Sequence, residues 1–194
     1  MHPIEPQFFS DFFTYNSYAK HIHELNARWW QNPDGSPKEL DKGERFMLMV
    51  SELSEALEAD RKELFDDKLP QYPGLWVELA DTVIRLMDSG AVYGWNLDER
   101  DWQKVNVIYP VHKTIGAGLL NIVGLLINLA YYERDRNVNM SEFNAAAIIH
   151  RCVLLAEECG CRDFWLIVHA KLVYNANRVD HTWEGRLAPG GKKF

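Results

Sequence analysis

The sequence predicts an all-α fold, and three observations lead to this prediction. No stretch shows the alternation of apolar and polar residues, bounded by hairpin turns, that is typical of β-strands. Turn-forming segments such as NPDGSP (32–37) and DDKLPQYPG (66–74) divide the chain into pieces of helical length. Apolar side chains recur at helical spacing, most clearly in the stripe of Phe46, Met49, Val50, Leu53 and Leu57.

Caps and helix breakers give the approximate bounds of each helix. Ser10 or Asp11 is suited to cap the first helix, Asp41 the second and Ser141 the fifth, while Pro110 suits the first turn of the fourth. The stretch 96–110 is weakly patterned, and the tail from residue 179 is predicted to be flexible. The predicted helices are 10–30, 40–65, 75–93, 110–134, 142–158 and 163–178.

Composition predicts one soluble domain over residues 1–194. Hydrophobic residues make up 47% and charged residues 25%, and the net charge of -7 argues against binding to a nucleic-acid polymer. The cysteines, Cys152, Cys159 and Cys161, show neither a disulfide nor a zinc pattern, so we expect reduced thiols and a cytoplasmic location. The apolar run 115–130 is short for a membrane span and contains two asparagines. It predicts a buried or subunit-interface helix, with no membrane contact.

Two pairs of acidic residues are the main chemical signal. Glu52 and Glu55 lie three residues apart in the second predicted helix, and Glu78 and Asp81 do so in the third. Residues at this spacing share a helix face, so two adjacent helices could bring four carboxylates together. Grouped carboxylates repel one another unless a cation lies among them, and oxygen ligands suit hard divalent ions. The spacing therefore predicts a Mg²⁺ or Mn²⁺ site, although an intrahelical pair between Asp81 and Arg85 is an alternative.

Two further stripes carry polar side chains. On the last helix Lys171, Asn175 and Arg178 form one face with Tyr174 beside them. On the first helix His23, Asn26 and Trp30 lie near one side, where Trp30 could equally belong to the core. Spacing alone does not separate ligand contact from an ordinary polar surface in either stripe.

These residues resemble the motifs of the MazG-like, all-α NTP pyrophosphohydrolases. The family's Glu-Glu-x-x-Glu motif is similar to SELSE (51–55), and its following Glu-x-x-Asp matches ELAD (78–81). The segment KLVYNANR (171–178) and the closing GGKKF (190–194) resemble the family's C-terminal basic segment. Ser51 replaces the first Glu of the motif. The chain also carries an insertion at about 98–161, with two helices that compact members lack.

The resemblance implies hydrolysis of an NTP or dNTP to its monophosphate and pyrophosphate, by attack of water on the α-phosphorus. It implies Glu52, Glu55, Glu78 and Asp81 as ligands of Mg²⁺ or Mn²⁺, with Glu55 or Glu52 as an alternative general base. A dNTP is the favoured substrate, with the base left open, and a dimer or tetramer is expected. The implied substrate contacts are Lys171, Tyr174, Asn175, Arg178, Lys192 and Lys193 for phosphate and sugar. Asn26 and Trp30 are candidates for base recognition by their own chemistry, since they offer hydrogen bonds and a stacking face.

Two other classes compete with this hypothesis. A di-iron carboxylate bundle would need Glu-x-x-His pairs, and the sequence contains none. A non-catalytic helical module that binds a nucleotide or a protein partner is compatible with Ser51 and with the insertion. Metal-dependent release of pyrophosphate distinguishes such a module from an enzyme.

Overall fold

The computed structural model describes residues 14–98 and 113–191, and in these ranges the all-α prediction is confirmed. The described residues contain no β-strand, only isolated bridges. Two three-ten turns, Ala27–Trp29 and Val179–His181, follow the first and sixth helices. Numbered in chain order, the helices are α1 (Tyr15–Asn26), α2 (Lys42–Arg61), α3 (Gly74–Tyr93), α4 (Ile115–Arg134), α5 (Val138–Glu158), α6 (Phe164–Ala176) and α7 (Trp183–Leu187).

Three of the predicted helix starts need correction. The helix α1 begins at Tyr15, where the Thr14 side chain caps it by accepting from the Ser17 backbone N–H. The helix α4 begins at Ile115 and not at 110, since the Thr114 side chain caps it by accepting from the Ala117 backbone N–H. Ser10, Asp11 and Pro110 themselves lie outside the described residues. The helix α5 begins at Val138 with Asn137 as its cap, so Ser141 is a buried residue inside the helix and not its cap.

The helix α3 is the centre of the core. It packs against α1, α2, α5 and α6, and most of its side chains are buried. Close approach to α2 begins at Gly74, where a Cβ atom would lie 2.8 Å from the Cβ of Ala59. The same α2–α3 connection is closed by an isolated bridge between Phe65 and Pro73. The acidic stretches of α2 and α3 are therefore held side by side.

The two helices predicted between about 98 and 161 are present as α4 and α5. They pack on each other, α4 also contacts α2, and α5 also contacts α3. The helix α4 meets the length and composition criteria for a membrane span, a test that core helices of soluble proteins also pass. Its outer side exposes Leu120 by 71%, Ile127 by 64% and Tyr131 by 51%. Among the described residues, α4 is the one helix that passes this test.

The C-terminal segment is more structured than the sequence predicted. The helix α6 ends at Ala176, and the described part of the tail predicted to be flexible, 179–191, contains a three-ten turn and α7. The guanidinium carbon of Arg186 lies 4.3 Å from the ring centroid of Trp29 and 4.6 Å from that of Trp183. This sandwich, together with an edge contact between Trp29 and His181 at 5.0 Å, docks the segment on the turn that follows α1.

Candidate metal centre

Three of the four predicted metal ligands meet between α2 and α3. One carboxylate oxygen from each of Glu52, Glu55 and Glu78 lies within 4.8 Å of those of the other two. The arrangement follows from the local sequence, since Glu52 and Glu55 are one turn apart on α2 and Glu78 lies in the first turns of α3. Every member of the cluster is a carboxylate, so the donor set fits the hard cations Mg²⁺ and Mn²⁺.

Arg85 binds Glu52 and not Asp81. Its Nε donates to Glu52 Oε1 at 2.8 Å, and its Nη2 lies 2.7 Å from the same oxygen. The intrahelical Asp81–Arg85 pair, which the sequence left open, is therefore not the arrangement found. The α3 guanidinium instead reaches across to α2, where it partly balances the charge of the cluster.

Asp81, the fourth predicted ligand, faces α6. The Lys171 ammonium lies 3.2 Å from its Oδ2, and the Asn175 side-chain amide donates to its Oδ1 at 2.9 Å. The polar face of α6 therefore meets the acidic pair of α3. Lys171 is buried, and its ammonium also lies 3.7 Å from Asp66 Oδ2.

Asp66 is a site residue that the sequence analysis missed. It is buried in the α2–α3 connection, where its Oδ1 accepts from the backbone N–H groups of Lys68 at 2.9 Å and Leu69 at 2.6 Å. Its position at the start of a turn-rich segment was the available signal, since Asp often binds backbone N–H groups a few residues on. Only the packing of that turn against α6 gives it a role beside Lys171.

The pKa values of the cluster reflect crowded negative charge. Burial first, and then the charge of Asp81, raises the pKa of Glu78 to about 9. Burial also raises the pKa of Glu55, and the charges of Glu52 and Asp81 add to that effect. Burial lowers the pKa of Lys171, but the surrounding carboxylates outweigh it and hold the pKa above its usual value. A divalent cation would offset the same excess of negative charge.

The carboxylates line a cavity of about 210 Å³. Four of the predicted substrate-binding residues, Asn26, Lys171, Asn175 and Arg178, also line it. Tyr174 is outside the lining and lies under Arg178, whose guanidinium carbon is 5.8 Å from the ring centroid. The Arg178 guanidinium also binds the Asp180 carboxylate, with its Nε donating at 2.9 Å. Lys192 and Lys193 lie outside the described residues.

Trp30 contacts a different carboxylate from those of the acidic cluster. Its Nε1 lies 3.0 Å from both oxygens of the buried Asp88, which also contacts His23 at 2.9 Å and Arg45 at 3.0 Å. The guanidinium carbon of Arg45 lies 4.5 Å from the Trp30 ring centroid. The neighbouring Trp29 lines the cavity in its place.

His181 forms part of the cavity wall. Its Nδ1 lies 3.1 Å from the backbone carbonyl oxygen of Asn175, which can only accept, so Nδ1 is the donor. Neither Trp29 nor His181 belongs to a motif that the sequence analysis had singled out.

Ser51 of the motif and Glu58, one turn beyond the motif on α2, have local roles outside the cavity lining. The hydroxyl of Ser51, which replaces the first Glu of the family motif, donates to the Leu48 carbonyl oxygen at 2.8 Å. Glu58 forms ion pairs with Arg61 and Lys62 on the surface of α2. Glu58 therefore does not replace the carboxylate that Ser51 lacks.

No protein-family model, curated protein or solved structure matches this chain. The resemblance to the MazG-like pyrophosphohydrolases thus depends on the residues themselves.

Proposed function

We propose that this chain is a metal-dependent nucleoside triphosphate pyrophosphohydrolase of the MazG-like class. The reaction would convert an NTP, and preferably a dNTP, to its monophosphate and pyrophosphate. The observation that carries the proposal is the meeting of Glu52, Glu55 and Glu78 in one cavity with the Lys171–Asp81 pair. Carboxylates for a cation and basic groups for phosphates are the two requirements of a triphosphate site.

Glu52, Glu55, Glu78 and Asp81 would hold Mg²⁺ or Mn²⁺. The bound ion would neutralise phosphate charge and acidify the attacking water. Glu55 is the preferred general base, because Arg85 occupies Glu52 while Glu55 is exposed to water. Its raised pKa also favours uptake of a proton from the water.

The basic residues divide into two roles. Lys171 would have to leave Asp66 or Asp81 to contact a phosphate, so we assign it first to holding Asp81 in place. Arg178, at the cavity edge, is assigned to the phosphates, together with Lys192 and Lys193. Asn175 and Tyr174 remain proposed contacts of phosphate or sugar.

The size of the cavity suits the phosphates better than the nucleoside. Its volume of about 210 Å³ is below the roughly 300–1,000 Å³ of typical small-molecule pockets. We place the metal and phosphates inside the cavity, and the base toward Asn26 and Trp29. The remaining wall around the nucleoside would come from a second copy of the chain. This assignment agrees with the proposed dimer or tetramer in the cytoplasm.

A second copy would pack on the outer face of α4. Its outward-facing residues alternate at spacings of three and four, which is the pattern of a helix–helix seam, and two of them are small enough for close approach. The stripe consists of Ala117, Leu120, Gly124, Ile127 and Tyr131.

The second candidate function is a non-catalytic nucleotide-binding or interaction module. Ser51 favours it, because its hydroxyl donates to its own helix and provides no carboxylate. The test is pyrophosphate release from the common NTPs and dNTPs with Mg²⁺ or Mn²⁺. Metal-dependent release supports the enzyme, whereas nucleotide binding without release supports the module.

A further inference from the structure

Five Lys and Arg side chains line the cavity, and they differ in how firmly they are held. Lys68, in the α2–α3 connection, pairs with Asp67 at the surface. Arg45 is buried, bound to Asp88 and stacked on Trp30. Lys171 is buried between Asp66 and Asp81. Arg178 binds its near neighbour Asp180 at the edge. Arg85 differs from the other four, because it combines partial exposure, 29%, with a partner, Glu52, that is itself a candidate metal ligand.

We propose that Arg85 is an exchangeable counter-ion of the metal centre. Its guanidinium and a metal ion would compete for the Glu52 carboxylate, so a Glu52 that holds the metal would leave Arg85 free to bind the phosphates of the substrate. The inference rests on the proposed metal-phosphate site and adds a residue to it that no motif of the resemblance includes.

The geometry supports an exchange more than a permanent pair. Arg85 Nε and Nη2 both point at the single oxygen Glu52 Oε1, at 2.8 and 2.7 Å. Any cation bound by that carboxylate competes with the guanidinium for its lone pairs. Arg carries five N–H donors, so the two directed at Glu52 are a minority, and its planar fork matches phosphate oxygens.

The charge of the cavity also favours an exchange of Arg85 between Glu52 and a phosphate. Removing Arg85 alone would leave Glu52, with a side chain 9% exposed, beside Glu55 and Glu78 without this cation. The pair therefore stabilises the metal-free cluster. Once a divalent ion neutralises the carboxylates, Arg85 is no longer needed as the counter-ion of Glu52. Its guanidinium is then better placed to bind an anionic ligand. Metal and phosphate should consequently bind with positive coupling.

The test compares the Arg85→Gln variant with the wild type by calorimetric titration, first with Mn²⁺ alone and then with pyrophosphate at saturating Mn²⁺. Loss of the competing guanidinium should tighten Mn²⁺ binding about tenfold, and loss of the phosphate contact should weaken pyrophosphate binding about tenfold, both within the usual range of coupling between sites. Arg61→Gln is the matched control, because Arg61 pairs with Glu58 on the exposed surface of α2. It should change neither constant.

A merely structural role for Arg85 gives a different pattern. In that case Arg85→Gln lowers the melting temperature, and Mn²⁺ does not restore it. The affinity of the variant for Mn²⁺ is then unchanged or weaker. This result would overturn the proposal. If Arg85→Gln fails to fold, Arg85→Lys serves instead. It keeps the charge but loses the fork, and it should still tighten Mn²⁺ binding and weaken pyrophosphate binding, each by less than Gln does.

The binding and turnover measurements test the exchange and the proposed enzyme separately. Opposite shifts in the two constants without hydrolysis of any triphosphate would support the exchange and contradict the proposed enzyme. Hydrolysis by the wild type, with both constants unchanged in Arg85→Gln, would support the enzyme and contradict the exchange.

Discussion

The Lys171 ammonium lies 3.2 Å from Asp81 Oδ2 and joins α6 to α3 at the edge of the acidic cluster. The lysine is 4% exposed, and Asp66 approaches it from the α2–α3 connection. This buried cation connects the C-terminal polar face with the proposed metal ligands.

Replacing Lys171 with Met should destabilise the protein by about 3–5 kcal/mol, because removal of one partner leaves buried carboxylates without their cation. The free energy of unfolding in urea measures the effect. Lys68→Met is the control, since Lys68 pairs with Asp67 at the surface, and it should change stability little. A Lys171→Met protein as stable as the wild type would show that Asp81 and Asp66 do not depend on this cation.

Glu78→Gln should make the stability of the metal-free protein less dependent on pH. Between its usual pKa of 4.5 and about 9, Glu78 holds a proton in the folded state that it lacks in the unfolded chain. The free energy of unfolding therefore falls as pH rises through this window. The stability of the variant relative to the wild type should grow with pH, by up to about 1.4 kcal/mol per pH unit.

Urea unfolding at about pH 6 and about pH 8 in the presence of a chelator measures this difference. A difference that stays constant or shrinks as pH rises would contradict the assignment. For the same reason, Mn²⁺ should raise the melting temperature of the wild type more at the higher pH, where fewer protons compete for the carboxylates.

Ile127→Glu should dissociate the proposed oligomer, because it places a charge in the exposed apolar stripe of α4. Sedimentation velocity should show a dimer or tetramer for the wild type and a monomer for the variant. Leu187→Glu is the matched control: Leu187 is 70% exposed on α7, away from the stripe, and its substitution should leave the assembly intact. A wild-type monomer, or an unchanged Ile127→Glu oligomer, would exclude this interface.

Trp30→Phe should reduce stability and leave nucleotide affinity unchanged. The indole N–H donates to the buried Asp88, so its loss leaves that acceptor less satisfied, at a cost of about 1–3 kcal/mol. Urea unfolding and calorimetric titration with a dNTP in Ca²⁺ measure the two properties. Weaker nucleotide binding with unchanged stability would contradict this prediction and support a role for Trp30 in recognising the base.

Most of the fold could be predicted because helices leave local signals. The apolar stripe of α2, the cap at Asp41 and the breakers around 32–37 and 66–74 each act within a few residues. The start of α5 was misplaced because Asn137 and Ser141 are both good caps by residue type. Asn137 is the residue that caps the helix, because its side chain accepts from the Met140 backbone N–H.

The part of the site that could be predicted is the part with a local signal in the sequence. The i, i+3 spacing of the acidic pairs is a local property, whereas the partner of Arg85 depends on how α2 and α3 lie against each other. Two carboxylates were within reach, Asp81 one turn away and Glu52 on the neighbouring helix, and packing decides between them. The pairing of Asp66 with Lys171 likewise needs the tertiary fold.

The two tryptophans after α1 illustrate how a pattern fails at a helix end. The sequence pattern predicts α-helical spacing through Trp30, but the helix ends at Asn26 and a three-ten turn follows. Its tighter winding changes the direction of each later side chain. Trp29, not Trp30, therefore lines the cavity beside Asn26.

The most direct test of metal-dependent hydrolysis at the α-phosphorus is the fate of heavy oxygen from labelled water. With Mg²⁺ or Mn²⁺, the wild type should release pyrophosphate from a dNTP, with the label in the monophosphate. Glu55→Gln should abolish release while keeping its helical circular dichroism. Glu58→Gln, one turn along α2 on the surface, should retain activity. Label in the pyrophosphate, or full activity of Glu55→Gln, would contradict the assignment of this site.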